Sequence, residues 1–387
     1  MSVELHTVQP ISVADLAAFV GDAATVSRTL RPRGGDTKAA FGNLTVPPDQ
    51  TIDMRGLSQV IDYSPVDLTI AVQPGMTLHA IDELLAAERQ RLVLDAPNRE
   101  RATIGGAFAA GLSGPRRLKY GALKDFVVGI EVVTSAGEIA KAGGMVVKNV
   151  SGYEMARLHY GAHGAFGIVA RINLRVQPLP EKRVELRASY TDPDRCLEAA
   201  HALLTSNLDP AAVYATGAPG GHWTLHAQIE GSEAFVGGQI DKLRQAVLNA
   251  ASTDEIEVGE LDGTSTPEFD RIIDLTETAD TLVARMSVPA SRQAETLAAL
   301  GKLGDASVLA DAGSGLIYVR AAASVENVRA ILDAAPASTY LALPDELKEG
   351  LDVFGPMDSG AAMVLRRVKQ QFDPQRIFSP GRFALHL

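Results

Sequence analysis

The spacing of apolar and polar positions changes character at a pair of prolines, Pro178 and Pro180. Before them the pattern predicts short strands separated by turns. Residues 12–20 keep helical spacing, and Ser12 with Asp15 three positions on makes a capping-box-like start. Residues 26–30 read as a strand, followed by the loop Arg31-Pro32-Arg33-Gly34-Gly35-Asp36-Thr37-Lys38. Residues 51–54 and 68–72 are further strands, the second ended by Pro74-Gly75. Leu78, Ile81, Leu84 and Leu85 recur at the period of a helix. Residues 126–134 and 138–141 predict a hairpin turning at Ser135-Ala136-Gly137, and residues 168–176 a strand that runs into the prolines.

The charged triplet Glu181-Lys182-Arg183 follows as a domain boundary. Beyond it, helical patterns at 195–205 and 233–250 alternate with strand-like runs at 223–229, 281–288 and 315–321. That texture predicts an α+β unit in which helices cover a sheet. Residues 372–383 are rich in turn formers and unlike a terminal helix, and no internal repeat or low-complexity segment is visible. Residues 1–180, 181–350 and 351–387 are the expected divisions.

Composition narrows the function classes. A net charge of −11 weighs against nucleic acid or an anionic membrane surface as the main partner. No apolar run approaches the ~18 residues of a membrane span, and the opening residues carry no basic stretch followed by an apolar one, so no secretory leader and a cytoplasmic chain are expected. Cys196 is the only cysteine. One thiol excludes an internal disulfide and a cysteine-ligated iron–sulfur cluster within this chain. Its setting in Asp194-Arg195-Cys196-Leu197 predicts the buried side of a helix.

Glycine clusters between β-branched runs carry the candidate chemistry. Consecutive N–H groups around Gly34 and Gly35 could form an anion nest, with Arg33 or Lys38 adding charge. The loop by itself also fits an ordinary surface turn. It is neither a Walker A sequence nor a dinucleotide fingerprint; Gly161-x-x-Gly164-x-x-Gly167 has the wrong spacing and precedes a strand. Two histidine pairs four apart, His159 with His163 and His222 with His226, invite a metal reading, but the first flanks a glycine turn and the second lies in a strand pattern. No metal site is expected.

The order of motifs is more specific than any one of them. An R-x-R-G-G-x-T-K loop precedes a V-x-P-G strand end, then T-I-G-G-x-x-A-x-x-x-S-G, K-N-V-S-G-Y and G-x-x-G-x-F-G-I-V. This succession resembles the FAD-binding domain of the vanillyl-alcohol oxidase / p-cresol methylhydroxylase superfamily. Within it, K-N-V-S-G-Y-E-M-A-R-L and a short C-terminal domain resemble the smaller FAD-binding subunits of bacterial glycolate oxidases. The resemblance covers residues 1–180 and the C-terminus, where F-D-P-x-x-I-F-S-P-G-R resembles the family's closing motif with Ser379 in place of its usual Asn. It implies an α+β fold: a two-part FAD-binding domain, a smaller ferredoxin-like cap, and a C-terminal segment that returns to the FAD domain.

The resemblance also implies roles. Arg33, Gly34, Gly35, Asp36, Thr37 and Lys38 match the loop around the FAD pyrophosphate, and Pro74 and Gly75 the turn near the flavin. Thr103, Gly105 and Gly106 match the second phosphate-side loop; Gly111, Ser113 and Gly114 match the turn along the ribityl chain and ring; Gly167, Ile168 and Val169 match the strand that meets the isoalloxazine or adenine edge. Family members with covalent flavin place a histidine in the glycine loop, where Asp36 and Thr37 stand here, so non-covalent FAD is expected.

Oxidising a 2-hydroxy acid needs a base, a cation for the carboxylate and the flavin as acceptor. The H-G-D-G-N-type motif of larger relatives is missing, which leaves the catalytic base unknown; Arg285 and Arg320, in strand-like runs, are the candidates for holding a carboxylate. Three readings follow: a subunit of a complex that oxidises glycolate or D-lactate, with a larger FAD subunit and an iron–sulfur subunit as partners and any inner-membrane contact made through the complex; a self-sufficient FAD-dependent 2-hydroxy-acid dehydrogenase; or a structural subunit that keeps the flavin fold.

Overall fold

The computed structural model of the chain describes residues 6–144, 154–253, 255–262, 266–276 and 278–387. The K-N-V-S-G-Y motif at 148–153 lies outside the described residues.

Ser12 caps the first helix, its side-chain oxygen accepting from Asp15 N–H at 3.0 Å. The helix, Val13–Thr25, runs past the expected end at Val20. Gly21 lets it lie directly on the hairpin turn, where a Cβ on Gly137 would stand 2.8 Å from the Gly21 Cα. The expected strand at 26–30 is therefore displaced to Leu30–Arg33. Arg31, Pro32 and Arg33 belong to that strand rather than to a loop, because it pairs in parallel with Gln50–Asp53, which also pairs with His6–Val8.

The second half of this region is a five-stranded antiparallel sheet in the order Val60–Ser64, Thr69–Val72, Ile168–Arg175, Val127–Val133, Ile139–Gly143. The expected hairpin and the strand at 168–176 form its centre and one edge. Helix Leu78–Ala87 buries Leu78, Ile81 and Leu85 against it, as their spacing predicts.

Residues 182–342 build one eight-stranded antiparallel sheet. Its strands fall into two successive β-α-β-β-α-β units. The first runs Lys182–Tyr190, Ala212–Gly217, Trp223–Gly231 and Glu255–Glu260, in the spatial order 4-1-3-2; the second runs Thr281–Ser287, Ser307–Asp311, Leu316–Ala322 and Thr339–Ala342, in the order 2-3-1-4. Each unit has the ferredoxin-like topology, and they join edge to edge through Ala212–Gly217 and Ser307–Asp311. The chain thus carries a repeat of topology that its sequence does not display.

Alternation along Lys182–Tyr190 explains the two faces of that sheet. Val184, Leu186, Ala188 and Tyr190 pack beneath helices Pro193–Thr205 and Glu233–Ala250, together with Cys196, whose thiol burial pushes well above its usual pKa. Arg183, Glu185 and Arg187 occupy the other face, with Arg183 and Glu185 buried. Lys182 and Arg183 thus open the first strand of this sheet in chain order.

Helix Ser359–Phe372 leads into the closing segment. There Lys369 is buried, its Nζ donating to Asp373 at 2.7 Å and to the Ala165 carbonyl at 2.9 Å. Leu30 N–H donates to the Ile377 carbonyl at 2.7 Å and Ser379 N–H to the Leu30 carbonyl at 2.8 Å, so residues 377–379 lie beside the first strand of the glycine loop. No helix among the described residues is long and apolar enough to cross a membrane.

Candidate functional site

Strand Leu30–Arg33 and the loop after it form one wall of a cleft, and helix Ile104–Ala110 with residues 159–169 the other. Thr103 caps that helix, accepting from Gly106 N–H at 3.2 Å. The cleft has two adjoining lobes of about 550 and 620 Å³.

The first lobe is apolar, walled by Pro32, Met54, Pro74, Ile168 and Val169. The second is cationic. Arg31, Arg33, Lys38 and Arg382 line it, against a single carboxylate, Asp36, which pairs with Arg33. Burial drives the pKa of Arg31 down, holds Lys38 at about 8 against the pull of Asp270 and Asp274, and holds Arg382 at about 9 with Arg31 adding repulsion. Such a collection of half-desolvated cations, in a chain of net charge −11, is stabilised by a multivalent anion. A flat apolar lobe joined to a cationic one fits the shape and charge of a dinucleotide such as FAD.

Most of the expected cofactor residues converge here. Arg33 through Lys38, Pro74, Thr103, Gly105, Gly106, Gly167, Ile168 and Val169 all line one lobe or both. The glycines differ in what the missing Cβ makes room for. A Cβ on Gly35 would meet the Arg101 carbonyl oxygen at 1.7 Å, so that glycine serves loop-on-loop packing. At Gly106 the nearest atom is Thr103 Oγ1 at 3.1 Å, so this position opens towards the cleft.

Four expected residues lie outside both lobes. Gly75 is wedged against the carbonyls of Met54 and Leu57, and Gly114 against the Asp95 side chain. Gly111 ends its helix in the left-handed region at φ 64°, against Gly161. Ser113 stands at the seam with the eight-stranded sheet: its hydroxyl is 3.1 Å from Tyr160 Oη, and its carbonyl accepts from Tyr318 Oη at 2.7 Å.

The two candidate arginines separate. Arg320 donates to the carbonyls of Asp274 at 2.6 Å and Ile272 at 3.4 Å, a structural commitment. Arg285 pairs in register with Tyr318 across adjacent strands, is half-buried, and makes no ion pair among the described residues. Its charge is felt by Tyr160, Tyr318 and His163.

Among the ionisable residues that line the lobes, sequence reasoning missed four: Arg31, Arg382, His159 and His163. Burial holds His159 at about 4 and, with Arg382 and Arg285 adding to it, His163 at about 3, so both imidazoles are neutral near pH 7. His163 is boxed edge-on by Phe41 at 4.4 Å and Phe354 at 5.2 Å between ring centroids. The i, i+4 spacing places both neutral rings on the apolar lobe.

Comparison with known proteins agrees with the geometry. Residues 5–143 match the FAD binding domain family. The chain is 27% identical over 356 residues to glycolate oxidase subunit GlcE of Escherichia coli, covering 92% of each. It is 31% identical over 184 residues to glycolate oxidase subunit GlcD of Bacillus subtilis, covering 47% of this chain and 39% of that one. Among solved structures, an alkyldihydroxyacetonephosphate synthase superimposes with a TM-score of 0.71 at 17% identity, over 96% of this chain and 75% of that one, which shows a shared fold.

Proposed function

We propose, from the match of residues 5–143 to the FAD binding domain family, that the chain is the FAD-carrying small subunit of a complex that oxidises glycolate, or a close 2-hydroxy acid such as D-lactate, to the 2-oxo acid. The observation that carries the reading is the junction of an apolar and a cationic lobe in a chain that aligns with GlcE along 92% of both lengths. FAD, when bound, supplies the acceptor for the hydride of the substrate's carbinol carbon.

In this reading Arg31, Arg33, Lys38 and Arg382 face the diphosphate, and the walls at Met54, Pro74, Ile168 and Val169 take the flat part of the cofactor. The cofactor is held without a covalent bond, since Asp36 and Thr37 occupy the loop; flavin that stays with acid-precipitated protein counts against this. The missing histidine-rich motif supports a division of labour, with a larger FAD subunit supplying the base and an iron–sulfur subunit carrying electrons onward. The chain is then cytoplasmic, and reaches a membrane only through its complex.

A second reading, a self-sufficient dehydrogenase, is favoured by one observation. Arg285 stands at the seam beside Tyr318 with no ion pair among the described residues, where it could hold a substrate carboxylate. Anaerobic titration of the purified chain with glycolate separates the two. Yellow protein that bleaches only after partner subunits are added supports the subunit reading; bleaching alone supports the second. A chain that stays colourless when offered FAD overturns both.

A further inference from the structure

The cationic lobe is assembled from the two ends of the chain. Arg31 comes from the strand that precedes the glycine loop and Arg382 from the closing segment; burial lowers the pKa of both, and the charge of Arg31 lowers that of Arg382 further. The closing segment is not merely near the lobe. Arg382 Nη2 donates to the carbonyls of Ala39 at 3.0 Å and Phe41 at 2.6 Å, both within three residues of the loop's end at Lys38. The Arg382 carbonyl accepts from Asn43 N–H at 2.9 Å, and Asn43 Nδ2 donates to the Phe383 carbonyl at 2.9 Å. Its side-chain stem crosses Gly42, where a Cβ would stand 2.8 Å from Arg382 Cγ. One guanidinium nitrogen is thus spent on tying the strap to the loop, while the charge remains at the lobe without a carboxylate partner among the described residues.

Two consequences follow from Coulomb's law. Without an anion, Arg31 and Arg382 repel, and that repulsion works against the backbone hydrogen bonds by which Ile377 and Ser379 dock on Leu30. With a diphosphate between them, the same two charges are drawn together. Resting on the reading that the cleft takes FAD, we propose that residues 377–387 form a strap whose Arg382 completes the diphosphate site, so that FAD binding and docking of the strap are one coupled equilibrium. Coupling of this kind is reciprocal: whatever the strap adds to FAD affinity, FAD adds to the docking of the strap.

The experiment uses the full chain, with FAD and riboflavin as probes, since riboflavin has no phosphate. Hydrogen exchange of residues 377–387 is followed beside binding measured by flavin fluorescence, with circular dichroism confirming the fold. In the wild type, FAD slows exchange in this segment and riboflavin does not. Arg382→Gln weakens FAD ~10–100-fold, the range for a charge-assisted contact, leaves riboflavin affinity unchanged, and removes the protection by FAD; Arg382→Lys recovers part of the FAD affinity. The proposal is overturned if Arg382→Gln binds FAD like the wild type, if it loses FAD and riboflavin alike, or if the two probes protect the strap equally in the wild type. That last comparison needs no variant and decides the matter even if Arg382→Gln does not fold. A wild-type chain that binds no FAD removes the functional reading and this inference with it, whereas normal FAD binding with an indifferent Arg382→Gln removes only the strap.

Discussion

Arg91 and Glu230 grip each other across the seam between the FAD-side region and the eight-stranded sheet, forked at 2.6 and 3.0 Å with both side chains sealed from water. Arg183 joins them, its Nε donating to the same carboxylate at 2.9 Å. Removing one partner of a buried ion pair leaves the others uncompensated. Glu230→Ala is therefore predicted to cost about 3–5 kcal/mol of stability at pH 7. The pH dependence has a definite sign. Burial pushes the Glu230 carboxyl up, but hydrogen bonds and charge from Arg91, with Arg183, outweigh it and hold it at about 2. Its stabilisation is complete above the ordinary carboxylate range and is lost as pH falls towards 2. Urea titrations should show the gap between wild type and Glu230→Ala closing over that interval; a gap that stays constant to pH 2 contradicts the assignment.

Asp270 behaves in the opposite way. Burial, with Asp95 nearby, pushes its carboxyl up to about 7 against the pull of Arg99, Arg116 and Lys38, and its Oδ1 is buried with no hydrogen-bond partner. A carboxyl whose folded pKa is raised holds its proton in the native state more tightly than in the unfolded chain. Stability therefore falls as pH rises from about 4 to about 7, by up to about 1.4 kcal/mol per pH unit for one group. Asp311, which burial also pushes up to about 7, adds a second contribution of the same sign. Asp270→Asn should raise stability at pH 8 and reduce the slope without abolishing it. An unchanged slope in the variant would place the proton elsewhere.

What could be seen in the sequence and what could not divides along one line: how far apart in the chain the deciding contacts lie. Helix Glu233–Ala250 and the hairpin strands Val127–Val133 and Ile139–Gly143 were legible because their periodicity and turns are local. The first strand was misplaced because its position is set by Gln50–Asp53 and by Phe378, which no local pattern reveals. Lys182–Tyr190 alternates cleanly, yet the burial of its opening charges was not legible, since only the fold supplies Glu230 to bury Arg183. At the site the glycine loop was visible as a motif, whereas Arg31 and Arg382 become one feature only when the two ends of the chain meet.

Proton uptake gives a third prediction. Lys38 at about 8 and Arg382 at about 9 both line the cationic lobe. An anion beside a cation favours its protonated form and raises its pKa. FAD should therefore bind with net uptake of protons above pH 8, and its affinity should fall as pH rises from 8 to 10. Isothermal titration at pH 8.5 in buffers of different ionisation enthalpy measures the uptake directly. Lys38→Met should lower it; buffer-independent heats in the wild type would mean that these groups do not face the phosphates.

Two glycines only 71 positions apart should respond oppositely to substitution, because one serves the fold and the other the cleft. A methyl group on Gly35 would drive into the Arg101 carbonyl, 1.7 Å from its oxygen and 2.6 Å from its carbon, and both neighbours are backbone that cannot swing aside. Gly35→Ala is thus predicted to destabilise the chain by at least the ~1–3 kcal/mol of an overpacked core, with FAD affinity falling as a consequence of lost structure. Gly106 sits in the first turn of helix Ile104–Ala110, and within 4 Å its Cβ would meet only Thr103 Oγ1, at 3.1 Å. A leucine there gains helix propensity, worth up to about 1 kcal/mol over glycine, while its remaining atoms extend into the space shared by both lobes. Gly106→Leu should therefore melt at or above the wild-type temperature yet bind FAD at least ~100-fold more weakly, about 3 kcal/mol in binding free energy. Thermal melts recorded beside flavin fluorescence titrations test the pair. A Gly106→Leu chain that binds FAD normally would show that the cofactor does not occupy this cleft, whatever the family resemblance says about its fold.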